Sequence, residues 1–108
     1  MVNQSSALKL AKKYVASVEA SGIALHKAFL FGSYASNRQH EWSDIDIALI
    51  GDNFTGLTLL DKEAFRHLHI LPEFMVVETH TFPTATLESP DPFLKNVIEN
   101  GIEVPLSR

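Results

Sequence analysis

FLFGSYASNRQHEWSDIDIALI, Phe29 to Ile50, is the stretch on which the reading of this chain turns. Its second half sets Asp44 and Asp46 into an otherwise apolar run of Ile45, Ile47, Ala48, Leu49 and Ile50. Residues two apart in a strand point to the same face, with α-carbons about 6.6–6.8 Å apart. Asp44, Asp46 and Ala48 therefore share one face, and Ile45, Ile47 and Leu49 share the other, toward a core. Two carboxylates held that close repel, so one must take a proton or a cation must bridge them. Oxygen-only ligands suit magnesium or manganese rather than zinc. A divalent ion on carboxylates plus substrate phosphates is a common arrangement for phosphoryl or nucleotidyl transfer. The plainer alternative has Asp44 capping the start of the strand and Asp46 facing solvent on an open sheet.

The first half of the stretch weighs against that alternative. The apolar run Lys27–Phe31 ends in Gly32 and Ser33, which hand over to a polar turn. Glycine lets a backbone approach a ligand closely. The Ser33 hydroxyl and the amides after it offer an anion site. A Gly-Ser turn, about ten residues, then Ser-Asp-Ile-Asp on a second strand pairs a phosphate-binding half with a metal-binding half.

Bulk properties bound the remaining possibilities. At 108 residues the chain reads as a single domain spanning 1–108. Its 45% hydrophobic and 20% charged content is that of an ordinary globular protein. No run approaches the roughly 18 apolar residues of a membrane span, and the N-terminal stretch lacks a signal-peptide layout, so a cytoplasmic protein without a membrane partner is expected. The absence of cysteine excludes disulfides and thiolate zinc sites. A net charge of -4 argues against a protein that grips long nucleic acid by its phosphates.

The order of elements is alternating. Ser5 or Ser6 can cap a first helix with Leu8, Ala11, Val15 and Val18 in register, ending at Gly22. Strands are expected at Lys27–Phe31, at Asp44–Ile50 and over FMVVETH, Phe74 to His80. A helix is expected over Leu57–His69, with Leu60, Ala64 and Leu68 in register. The Pro- and Thr-rich stretch TFPTATLESPDP, Thr81 to Pro92, reads as a loop, with Pro83 and Pro90 opposing sheet or helix. A last helix begins at Ser89 or Asp91 and ends at Gly101, before a short strand at Ile102. The fold class is α/β (α+β): a small mixed sheet with helices packed on it. The strands at 27 and 44 are too close for a long crossover and can pair antiparallel.

FGSYAS followed by SDIDIALI resembles the signature of the nucleotidyltransferase superfamily related to DNA polymerase beta. The length is similar to that of its smallest branch, the minimal nucleotidyltransferases, which pair with helical HEPN-domain proteins. The resemblance implies that Gly32 and Ser33 hold a nucleoside triphosphate, with ATP favoured. It implies that Asp44 and Asp46 hold one or two magnesium (or manganese) ions, and that a third carboxylate on a neighbouring strand completes the site. It also implies an antitoxin-type role toward a partner protein.

The pattern departs from the family in one place. After Gly-Ser the family shows a small residue, then Lys or Arg, then Gly; here Ala35, Ser36 and Asn37 come after Tyr34. Asparagine tolerates a left-handed turn, so Asn37 is a mild change. The cation missing at Ser36 is the larger change, and Arg38 is the candidate substitute. For the third acid, Glu73 and Glu78 flank the third strand, five apart and hence on opposite faces of a regular strand. Glu78 is preferred, as metal ligand or as a base toward an attacking hydroxyl. The histidines His26, His40, His67, His69 and His80 show no ligand spacing and are set aside. Trp42 is expected to anchor its loop, Ser43 to cap the turn before Asp44.

Two readings of function are open. One is a magnesium-dependent nucleotidyltransferase moving a nucleoside monophosphate onto a hydroxyl of an acceptor such as a partner protein. The other is a binding module with a vestigial site that neutralises a partner by masking it. With no room for a substrate domain, the acceptor must be recognised by a partner chain or by a homo-oligomer.

Overall fold

The first helix, α1 (Gln4–Ala20), begins two residues earlier than a Ser5 cap would place it, because Asn3 is the cap: its side-chain oxygen accepts the Ser6 amide at 2.8 Å. The computed structural model describes residues 3–40 and 43–107. The helix buries Ala7, Ala11, Tyr14, Val15 and Val18, while Leu8 and Leu10 are only partly covered. The buried stripe is centred on Tyr14, whose hydroxyl reaches His69 Nε2 and Thr79 Oγ1, each at 2.7 Å.

Four strands form one sheet in the order β3-β2-β1-β4. β1 (Leu25–Phe31) pairs antiparallel with β2 (Ile45–Gly51), β2 pairs parallel with β3 (Val77–Pro83), and β4 (Ile102–Glu103) pairs antiparallel with β1. The sheet is thus mixed, as the short link between the first two strands requires. β2 is apolar nearly throughout because both of its faces are covered. Ile45, Ile47 and Leu49 join the core under α1. Ala48 and Ile50 pack with Phe29 against Leu94 and Val97 of the last helix, α3 (Pro92–Asn100). Asp91 caps α3, accepting the Leu94 amide at 2.8 Å.

The connection from β2 to β3 departs from the single helix expected over Leu57–His69. A short α2 (Thr58–Asp61) passes into a 3-10 segment, Lys62–Ile70, kinked at Phe65. The cause is Asp61, which turns inward rather than out. Its carboxylate accepts the Thr55 amide and hydroxyl, the Gly56 amide and the Thr81 hydroxyl. Leu57, Leu59 and Leu60 are left exposed in consequence.

β3 starts at Val77 rather than Phe74, because its register follows β2 from Ile45↔Val77 to Gly51↔Pro83. Phe74 sits instead in a 3-10 turn, Pro72–Phe74. The expected loop from Thr81 therefore yields its first three residues to the sheet, and Thr84–Leu87 form a further 3-10 turn. Pro83 is tolerated because it ends an edge strand. Among the described residues no helix is long and apolar enough to cross a membrane.

Candidate functional site

Asp46 and Glu78 are direct neighbours across the parallel β2–β3 pair. His80, two residues beyond Glu78, faces the same way. One oxygen of each carboxylate and a ring nitrogen of His80 all lie within 4.8 Å of one another. Glu78 Oε1 is 3.9 Å from His80 Nε2. Phe31, the partner of Asp46 across β1–β2, stands edge-on to the His80 ring at 5.2 Å, and Phe93 of α3 approaches it at 5.5 Å. Burial pushes the Asp46 carboxyl up to about 6, and the charges of Glu78 and Asp44 and a hydrogen bond with Glu78 add to that rise. A carboxylate raised by burial and by like charge is one that a cation would stabilise.

Asp44 lies just before β2 and is exposed. Its charge is felt at Asp46, but it stands outside the Asp46–Glu78–His80 group. Ser43 closes the turn that delivers it: the His40 amide donates to Ser43 Oγ at 2.9 Å, and the Ser43 amide to the His40 carbonyl at 3.0 Å. Trp42 lies outside the described residues.

The turn after β1 abuts the acids. Gly32 has φ +76°, and a Cβ there would run into Asp46 Oδ2. Glycine is thus required both for the left-handed conformation and for the approach of the carboxylate. Arg38 N donates to Ser33 O at 2.7 Å, Ser36 N to Gly32 O at 3.2 Å, and Asn37 occupies the left-handed region at φ +59°. The Gln4 side-chain amide, reaching over from α1, donates to the carbonyls of Tyr34 and Ala35. Among the described residues the backbone amides of Ser33, Tyr34 and Ala35 have no acceptor. The Ser36 hydroxyl folds back onto the carbonyls of Gly32 and Ser33, so the position that carries a cation in the family closes the turn here. Gly32, Ser36 and Arg38 line a cleft of about 510 Å³ with Asn96 and Asn100 of α3, and among the described residues no carboxylate lines it.

The remaining candidates go elsewhere. Glu73 sits on the 3-10 turn and pairs with Lys13 of α1 at 2.6 Å, in register with neither strand acid. His67 and His69 reach Ser21 and Tyr14. His80, set aside on spacing, is the site residue that reading along the chain missed. Its signal was the i, i+2 relation to Glu78 on a strand.

The sequence profile described as "Polymerase beta, Nucleotidyltransferase" matches residues 16–105. The chain belongs to this nucleotidyltransferase family. No curated protein sequence is significantly similar to it. Among solved structures, a Sulfolobus solfataricus protein assigned as a nucleotidyltransferase superposes with a TM-score of 0.62 at 23% identity, over 93% of this chain and 80% of that one. The toxin–antitoxin MntA–HpeT, in a variant with two aspartates changed to glutamate, superposes with a TM-score of 0.58 at 20% identity, over 91% of this chain and 74% of that one. At these identities the likeness is one of fold. It agrees with the small mixed sheet and the helices on its faces.

The donor set also suits the family's usual cofactor. Two carboxylates in register, one of them raised by burial and by its acidic neighbours, are hard oxygen ligands fit for a divalent cation.

Proposed function

We propose that the chain is a divalent-cation-dependent nucleotidyltransferase. It takes a nucleoside monophosphate from a nucleoside triphosphate, ATP favoured, and places it on a hydroxyl of a partner protein of the helical HEPN type. The single observation that carries this reading is the contact of Gly32 with Asp46, with Glu78 in register beside it. It sets a turn with open amides directly against paired acids.

In this reading Gly32 and Ser33, with the amides of the turn, cradle the triphosphate, and Arg38 lends the cleft its positive charge. Asp46 and Glu78, with Asp44 at the mouth, would hold magnesium or manganese. The cation would offset phosphate charge and polarise the phosphorus that is attacked. The acceptor oxygen bonds to the α-phosphorus as the bond to the bridging oxygen breaks and pyrophosphate leaves. The hydroxyl proton passes to a carboxylate, for which Glu78 is the candidate. Positioning and charge neutralisation supply most of such catalysis. A protein acceptor is favoured because a similar fold also occurs in a toxin–antitoxin pair.

A second reading, masking of a partner by a vestigial site, draws on two observations. The Ser36 hydroxyl occupies the place of a phosphate-binding cation, and Asp44 stands apart from the other acids. Labelled ATP, manganese and a helical HEPN-type partner protein distinguish the two. Added nucleotide mass on the partner, lost with Asp46→Asn, supports transfer. A stable complex with no added mass supports masking.

A further inference from the structure

We propose that His80 is a ligand of the cation held by Asp46 and Glu78, which makes the centre one of mixed oxygen and nitrogen donors that prefers manganese or cobalt to magnesium. This rests on the reading above, in which those two acids hold a divalent ion.

The geometry is that of three side chains aimed at one point. Glu78 and His80 lie on one face of β3, and Asp46 meets them from β2. Their donor atoms fall within 4.8 Å of one another, and Glu78 Oε1 stands 3.9 Å from His80 Nε2. Metal–ligand bonds of about 2.1 Å separate neighbouring donors by roughly 3.0–3.5 Å. Side-chain rotations of about 1 Å would therefore close the triangle around an ion. Asp44, the acid the sequence pairs with Asp46, is not in this triangle, so the imidazole takes the third place.

The ring is also held for the task. Phe31 stands edge-on to it, and Phe93 lies tilted against it. A ring so packed loses little freedom on binding. Imidazole suits transition ions, with affinity rising from manganese to cobalt and beyond, whereas magnesium keeps to oxygen donors and water. The consequence is a metal preference set by one residue.

The test uses the full-length chain stripped with chelator and titrated with manganese. Inorganic tripolyphosphate is present, because it supplies oxygen ligands and no nitrogen. Electron spin-echo measurements on bound manganese should show coupling to an imidazole nitrogen in the wild type and none in His80→Gln. The same substitution should weaken manganese at least about tenfold, the scale for losing a partner of a metal site, and change magnesium affinity by less than about twofold. Manganese bound by wild type and lost in Asp46→Asn, yet without nitrogen coupling, would overturn the role of His80 and leave the cation site standing. No manganese binding by wild type at all would overturn both. The spectroscopic arm on wild type does not depend on whether the substituted chain folds.

Discussion

Gly32 and the Asp46 carboxylate occupy touching positions, and there is no room between them for even a methyl group. The turn and the acid are one unit, and exchanging the glycine strains both. Gly32→Ala is expected to cost about 1–2 kcal/mol from its left-handed backbone alone and to abolish tripolyphosphate-linked manganese binding. Thermal melts and calorimetric titration check the two effects separately. A destabilised protein that still binds both ligands would reduce Gly32 to a turn former.

Asp46 gives a pH dependence of defined sign. Its carboxyl stands near 6 in the fold against 3.8 ordinarily. Between those values the unfolded chain releases a proton that the fold retains, so stability declines as pH rises through about 6. In chelator, Asp46→Asn should therefore be more stable than wild type at pH 8, by about 1 kcal/mol after solvent screening is allowed for. The advantage should vanish toward pH 4. Manganese should reverse the order at pH 8 by stabilising only the wild type. Melting curves at three pH values measure this, and a less stable variant at pH 8 in chelator would contradict it.

Glu78→Gln should weaken manganese binding by at least about tenfold, whereas Glu73→Gln should leave it unchanged. The latter loses an exposed pair with Lys13, worth at most about 1 kcal/mol. Equal losses in a titration of both variants would show that the wrong acid has been placed in the site.

Asp61 makes the opposite pH prediction. Burial alone would raise its carboxyl, but hydrogen bonds from Thr81, Thr55 and Gly56 outweigh it and hold the group below its ordinary 3.8. The stability it contributes is present above 3.8 and is lost as pH falls through the lower folded value. Asp61→Asn replaces an acceptor with a donor among donors. It should cost about 2–3 kcal/mol at pH 7, read from a denaturant midpoint, with a smaller deficit near pH 3.

Ser36→Lys restores a cation beside the turn. Tripolyphosphate affinity should rise severalfold in calorimetry at low salt. An unchanged affinity would indicate that Arg38 already serves, or that the turn does not meet phosphate.

Much of this architecture was legible along the chain. Alternation around Asp46 placed β2 and its core face, and the Gly-Ser run placed the turn. Residue chemistry showed that Asn37 tolerates a left-handed turn and narrowed the last cap to Ser89 or Asp91, of which Asp91 serves. The hidden parts depended on distant partners. The periodic Leu60, Ala64 and Leu68 suggested one helix, but Asp61 outcompeted them through a hydroxyl 20 residues on. The start of β3 was obscured because Phe74, Met75 and Val76 are as strand-like as Val77 and its successors, and only pairing with β2 sets the boundary. His80 was overlooked because its proximity to Asp46 exists only once β2 and β3 lie side by side.

The Asp61–Thr81 hydrogen bond bears on the accuracy of the site from a distance. Thr81 is three residues from Glu78, about 10 Å along the strand. A slip of β3 by one residue would turn Glu78 and His80 to the opposite face and present Val77 and Thr79 to Asp46. By clasping Thr81, a carboxylate in the connecting segment makes that misalignment expensive. Asp61 therefore acts as an alignment pin for a pair of strands whose chemistry lies elsewhere on them. Selection for a working site would be expected to act on Asp61 as well as on the residues that meet the substrate.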